Sequence, residues 1–233
     1  GWVCGGGGGA GGRGRAGFVG GESRWRRALG PPRRAGAATD EKGIRARYAE
    51  LAVDFLKLYP SSDMQESIWA TTRDALYSWT AQRLATKQSA AGIPSFLYLF
   101  DHGYPAADAQ GLHAIHASEL PYMFGTRNKT PPNWPPLPQT AAEATFSDAM
   151  LDYWSSFARA GVPSAAGQPM WQPYGTERAY MSFEDVPRPK TNPLRGLYAL
   201  HEQVVCRRRR KGGIPWTWQV GLASPPPPDA PCR

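Results

Sequence analysis

The sequence contains no run of eighteen apolar residues, and no apolar stretch follows a charged start near its first residue. Neither a membrane-spanning helix nor a secretory signal is read from it. Cysteine is scarce: Cys4, Cys206 and Cys232 lie far apart and in no C-x-x-C spacing, which excludes a disulfide framework and a cysteine-based zinc site. A single bridge stays open, but incidental thiols are the expectation, so the redox compartment, and with it the localisation, is left undecided. No internal repeat is found. What is present is enough for a real core in one good-sized domain, since 41% of the 233 residues are hydrophobic and 12% aromatic.

The net charge of +8 suggests a nucleic-acid partner until the charge is located. Residues 1–38 carry seven Arg against Glu22 alone, and "RRRRK" at 207–211 adds five more positive charges, so the remainder is slightly acidic at −3. The basic character belongs to two local segments. Fourteen of the first thirty-eight residues are Gly, a composition without apolar side chains to offset its backbone entropy. An Arg-Gly arm for RNA is one reading of it. The repeated RGG spacing that would support that reading is missing, and translated GC-rich DNA explains the composition better. Nucleic acid is therefore not expected as a partner.

Order is expected from Thr39. "TDEKGIRARYAELAVDFLKLYP" offers Thr39 as an N-cap and spaces Ile44, Tyr48, Leu51, Phe55 and Leu58 along one face, predicting a single amphipathic helix stopped by Pro60. "SSDMQESIWATTRDALYSWTAQRLATKQSAAG" repeats the form, with a Ser/Asp cap, an apolar face through Ile68, Ala75, Leu76 and Trp79, and Gly92 as its stop. "PSFLYLFD", residues 94–101, is apolar on both faces and aromatic-rich, which fits an interior strand of a covered sheet. After the connector "TPPNWPPLPQT" comes a third helix, "SDAMLDYWSSFARAG", whose Met150, Tyr153, Trp154 and Phe157 form a core stripe closed by Gly161. "AYMSF" at 179–183 reads as a short strand, and "NPLRGLYALHEQVV" opens a last helix that runs into the Arg cluster. Two helices, a buried strand and then a histidine-bearing loop make an α/β arrangement, in which functional groups gather at the carboxyl ends of strands.

That loop is "GLHAIHASELPYMFG", residues 111–125. A polar loop after a buried strand and before a short helix is where an α/β enzyme places a general base, which makes His116 the candidate. The competing reading is a histidine satisfied by backbone partners. His113 and His116 form an H-x-x-H pair, but no further Cys, His or acid stands at ligand spacing, so no metal and no cofactor is expected.

"SFLYLFDH" followed by "GLHAIHASELPYMFG" resembles the histidine region of type B carboxylesterases, the α/β-hydrolase family that includes cholinesterases and para-nitrobenzyl esterases. "FSDAMLDYWSSFARAGVPS", "PMWQPY", "MSF" and "RRRRKGGIPWTWQVG" continue the likeness in the family's order, over about residues 39–222. The resemblance implies the carboxyl-terminal part of an α/β-hydrolase fold and a small-molecule carboxylic ester as substrate of the complete enzyme. It also implies His116 as the catalytic histidine and Glu119 as a buried group in the following helix. His113 receives no role. In such an enzyme a serine hydroxyl becomes nucleophilic only when an imidazole takes its proton, and a carboxylate, usually Glu, fixes that imidazole's tautomer.

Departures from the pattern are as informative. The G-E-S-A-G-G nucleophile motif, the glycine-rich oxyanion loop and the acid loop are absent. "GGESRW" at 20–25 matches only the first half of a nucleophile elbow: Trp25 stands where the closing Gly belongs, and chance in a Gly-rich tract explains Ser23 better than catalysis. Glu41 in "DEK" is helix-capping chemistry before it is a catalytic acid. The expectation is thus a low-complexity segment over 1–38, a carboxyl-terminal carboxylesterase portion over 39–222 and a Pro-rich tail over 223–233, inactive by itself. A non-catalytic esterase-like binding or adhesion module is the alternative, weakly opposed by the intact histidine motif, and an RNA-associated protein is a third.

Overall fold

The structure, a computed structural model, describes residues 17–19, 37–193 and 196–210. The Gly/Arg segment apart from 17–19, Ser23, Cys4, Cys232 and the Pro-rich tail all lie outside the described residues. The chain divides into two compact units, one of residues 1–30 and 72–193 and the other of residues 31–71 and 194–233.

The larger unit is organised by four strands in the order β1 (Gly17–Val19), β2 (Ser95–Phe100), β3 (Ala179–Phe183) and β4 (Pro187–Thr191). β2 runs parallel to β1 and β3, with Leu97 opposite Tyr180 and Phe100 opposite Phe183, while β4 returns antiparallel beside β3. As its composition implies, β2 is interior, and five of its six residues are buried. β4 was not visible in the sequence because "PRPKT" carries two prolines, which cannot donate to a ladder. Proline is tolerated where a strand has a neighbour on one side only, and β4 stands at the end of this sheet.

Against these strands packs α7 (Ala141–Ala160), longer at its start than its apolar stripe suggests because the Thr140 side chain accepts the Glu143 backbone N–H and caps it. Gly161, at φ 73°, ends it in the left-handed conformation. Met150 and Tyr153 are fully buried, and with Phe96, Tyr98, Phe100, Trp171 and Phe183 they form one aromatic-rich core. Trp171 sits at its centre, edge-to-face with Tyr98, Tyr153 and Phe183, and its indole N–H donates to the Leu97 carbonyl at 3.0 Å. This bond ties the "PMWQPY" segment to the central strand.

In the smaller unit the predicted single helix is broken. α1 (Ala37–Tyr48) and α2 (Ala52–Leu58) are joined by a tight turn over Ala49–Leu51, where Ala49 has φ 47°. The helix already includes Thr39, so Thr39 is not its cap. The apolar spacing survives the break: Tyr48 stacks on Phe55 at 4.1 Å, and Leu51, Ala52, Phe55 and Tyr59 pack with Leu200 and Val204 of α8 (Leu197–Arg210). Cys206, on α8, is disulfide-bonded, which corrects the expectation of an incidental thiol.

The second predicted helix is also divided, into α3 (Met64–Arg73), a wide π-turn over Asp74–Ser78 and α4 (Trp79–Ala90). Asp63 caps its start, accepting the Glu66 backbone N–H, and Gly92 at φ 72° follows its end. The buried face differs from the expected one: Ile68 is exposed, whereas Asp74, Ser78 and Gln82 are buried beside Trp79. Asp74 is accommodated because Arg73 Nε donates to its Oδ1 at 2.6 Å and Ser78 Oγ at 3.1 Å.

Candidate active site

The carboxyl end of β2 opens into a twenty-three-residue excursion that ends with α6 (Leu120–Met123) and includes the short α5 (Pro105–Asp108). It carries three of the chain's four histidines: His102, His113 and His116. Their surroundings differ, and the differences sort their chemistry.

His116 stands at the tip of a tight turn in which the Ser118 backbone N–H and hydroxyl both donate to the Ile115 carbonyl, at 3.0 and 2.7 Å. Ala117 completes the turn at φ 68°, in the left-handed region that ordinarily selects glycine. Ser118 and Glu119, next in sequence, are buried, so the turn is anchored on one side and presents the exposed His116 on the other. Its imidazole lies 6.0 Å from the ring of Tyr77, the residue that the π-turn places there. Partial desolvation holds the His116 pKa below the ordinary histidine value. The shift favours the neutral imidazole, the form in which a histidine acts as a base.

Glu119, expected as a buried group, is buried, and desolvation raises its pKa although its own backbone N–H pulls the other way.

His113 is held between two carboxylates. Its Nδ1 is 3.0 Å from Asp108 Oδ1 and its Nε2 is 3.5 Å from Asp101 Oδ1. The backbone reaches this arrangement only with His113 itself at φ 46°, and Gly103 is required beneath it, because a Cβ there would overlap the imidazole. Both ring nitrogens are therefore engaged within the excursion. Among the described residues no group of three His, Cys, Asp or Glu side chains is arranged to hold a metal ion.

His102, at the root of the excursion, was not singled out by the sequence. It is buried, its ring 4.6 Å from that of Phe146, and its Nε2 lies 3.2 Å from each oxygen of Glu143. Tyr122 of α6 donates its hydroxyl to the same carboxylate at 2.7 Å. Burial, and then this hydrogen bond to Glu143, push the Tyr122 pKa far up, so the phenol stays a donor. The Glu143 partnership was invisible in the sequence because forty-one residues separate it from His102.

Of the other residues weighed from sequence, Ser23 lies outside the described residues. Glu41 is taken by Arg45 one turn along α1, at 2.9 and 2.5 Å, an ion pair on the helix surface in place of the expected capping role, because α1 already begins at Ala37. Among the described residues no helix is long and apolar enough to cross a membrane.

Comparison with known proteins places the chain in a family. The sequence model of the Carboxylesterase family matches residues 40–197. Curated relatives include the medium-chain fatty acyl-CoA hydrolase precursor of Anas platyrhynchos, 26% identical over 64% of this chain and 27% of that protein. The bile salt-activated lipase of Rattus norvegicus is 30% identical over 58% of this chain and 22% of that protein. The chain thus spans about a quarter of the length of the curated relatives it matches. Among solved structures, the Geobacillus stearothermophilus carboxylesterase EST55 superposes with a TM-score of 0.55 at 24% identity, covering 71% of this chain and 35% of that one. That superposition carries the fold, and the strands and helices described above are part of an α/β-hydrolase fold. With more than half of its length matched by the family's sequence model, this chain belongs to the carboxylesterase family.

Proposed function

We propose that residues 39–222 are the carboxyl-terminal portion of a carboxylic ester hydrolase, and that His116 is the base of its Ser-Glu-His triad. The observation that carries this reading is the His116 turn itself: an exposed imidazole with a lowered pKa, presented after the carboxyl end of a central parallel strand. In the reaction His116 takes the proton of a serine hydroxyl as that oxygen attacks the ester carbonyl. It then returns the proton to the leaving alkoxide, and in the second half activates the water that frees the acid from the acyl-serine. A lowered pKa keeps the imidazole in the neutral form that accepts the proton and eases its return to the leaving group, and a triad carboxylate of the complete enzyme would stabilise the imidazolium formed between the two. The ester is a small-molecule carboxylic ester.

No G-x-S-x-G segment occurs in the 233 residues, so the nucleophile, the acid and the oxyanion donors have to be supplied by sequence beyond them, and the chain by itself is inactive in this reading. Intact-mass analysis after fluorophosphonate treatment tests it, on the chain and on His116→Ala, with denatured protein as the control. No adduct on either is the expected outcome. A single adduct on the parent that disappears in His116→Ala would place an activated serine inside these residues and overturn the division of labour proposed here. In a longer protein that joins this sequence to an upstream G-x-S-x-G segment, para-nitrophenyl ester hydrolysis should require His116. Activity that survived His116→Ala would remove the assignment of the base.

A further inference from the structure

The twenty-three residues that carry His116 leave the sheet and return to the body of the unit with little regular structure between, so something has to fix where they lie. Both ends of the excursion meet at one side chain. His102, two residues past the end of β2, places Nε2 3.2 Å from both oxygens of Glu143, and Tyr122, in the closing turn α6, donates to Glu143 Oε2 at 2.7 Å. The ionised carboxylate only accepts, so His102 donates from Nε2 and Tyr122 from its hydroxyl.

We propose that Glu143 is a positioning residue for the His116 loop, its single carboxylate fastening the start of the loop through His102 and the end of the loop through Tyr122. The inference deepens the reading of His116 as a base and rests on it for its functional meaning.

Three further observations point the same way. Glu143 lies in the first turn of the longest helix, where the capped N-terminus favours a carboxylate, so the anchor is itself fixed. The Tyr122 backbone carbonyl accepts the Ser147 hydroxyl of the same helix at 2.9 Å, a second tie between α6 and α7. The Glu143 pair is also enclosed: His102 and Tyr122 are buried, edge-to-face at 5.2 Å, with Phe146 against both rings. Hydrogen bonds to a charged group in such surroundings are stronger than exposed ones, and a buried partner left alone costs its desolvation. His102 Nδ1, on the other side of the ring, is buried and makes no hydrogen bond, and the nearest carboxylate oxygen, on Asp185, is 3.8 Å away. The imidazole is therefore held in place from the Glu143 side.

A residue that merely adds stability and one that positions the loop differ in where their loss is felt. The test is hydrogen exchange of the full chain, read by peptide, for the parent and for Glu143→Ala and Glu143→Gln. Amides of residues 103–124 should exchange at least tenfold faster in Glu143→Ala, while those of β2 and β3 keep the parent rates. Glu143→Gln, whose amide oxygen still accepts, should restore most of the protection. In parallel, the His116 ring resonances should shift and broaden in Glu143→Ala and return in Glu143→Gln. Uniformly faster exchange throughout the unit, or unchanged exchange at 103–124, would overturn the proposal. Should Glu143→Ala not fold, Tyr122→Phe removes one hydroxyl alone, and the effect is then expected at residues 117–124; its absence there would equally overturn the proposal. These readouts do not depend on catalysis, so failure here leaves the fluorophosphonate result standing, and failure there leaves this one.

Discussion

The fit of His113 against Gly103 gives a quantitative expectation. A methyl group at position 103 would occupy the space of the His113 imidazole, and it would also lie 3.0 Å from Asp108 Oδ1. The imidazole is the movable party, because it is the outer part of a partly exposed side chain. Gly103→Ala should therefore swing the ring out and break its 3.0 Å contact with Asp108 and its 3.5 Å contact with Asp101. The pair is partly solvated, which limits the loss of those contacts to about 0.2–1 kcal/mol. Crowding of a settled loop adds to this, so the expected cost of Gly103→Ala is about 1–2 kcal/mol. His113→Ala removes the same contacts without the clash and should cost about 0.5–1 kcal/mol. The double variant then has room for the methyl group and nothing left to lose, so its stability should match that of His113→Ala alone, a coupling of about 1–2 kcal/mol between the sites. Urea denaturation followed by tryptophan fluorescence measures all four proteins. Additivity of the two single effects to within about 0.3 kcal/mol would refute the steric argument and the placement of His113 with it.

Other expectations follow from burial and backbone conformation. The His116 ring, followed by proton resonance against pH, should titrate below an ordinary histidine; with its pKa depressed in the fold, its contribution to stability is present at higher pH and is lost as pH falls through the folded-state value, and titration above the usual value would contradict the partial desolvation. Glu119 has the opposite sign: its raised pKa means the fold holds the proton more tightly than the unfolded chain, so its contribution is full at low pH and declines as pH rises through the folded-state value. Glu119→Gln should flatten that decline in a series of denaturation curves, and an unchanged pH profile would refute it. Ala117→Gly should raise stability by about 0.5–1 kcal/mol, the relief at φ 68° less the added freedom of the unfolded chain, and a loss of stability in thermal unfolding would count against the turn. Trp171→Phe should cost about 2–3 kcal/mol, from the indole hydrogen bond to Leu97 and the volume lost from a fully buried site, whereas a change under about 1 kcal/mol would show that the core does not close around it.

What could be read from the sequence was what depends on neighbours along the chain. The interior character of β2 follows from "SFLYLF" alone, the core stripe of α7 from its spacing, and the place of the His116 loop from a polar stretch behind a buried strand. What could not be read depends on partners distant in sequence or on departures from regular geometry. Nothing in "RYAEL" announces the left-handed Ala49 that breaks the first helix, and the π-turn at Asp74–Ser78 follows no periodic signal. The buried face near that turn differs from the periodic one, and Asp74 goes inward because Arg73 and Ser78 satisfy it. The strand β4 was hidden by its prolines, whose meaning changes when a strand has only one neighbour.

The histidines show the same division, and it bears on chemistry. By spacing alone His113 and His116 are an equivalent pair, and His102 is only the end of a strand motif. In three dimensions His102 is committed to Glu143 in a buried aromatic setting and His113 is wedged between Asp101 and Asp108, while His116 is carried outward on a turn against Tyr77. An imidazole with carboxylates against both nitrogens, or buried with one carboxylate, is poorly placed to take a proton from an incoming hydroxyl and give it up again, because each transfer would have to break a settled contact. The two committed histidines instead lie at the root and in the middle of the segment whose tip presents the third. The excursion thus holds two imidazoles in settled contacts with carboxylates and carries the third on an exposed turn.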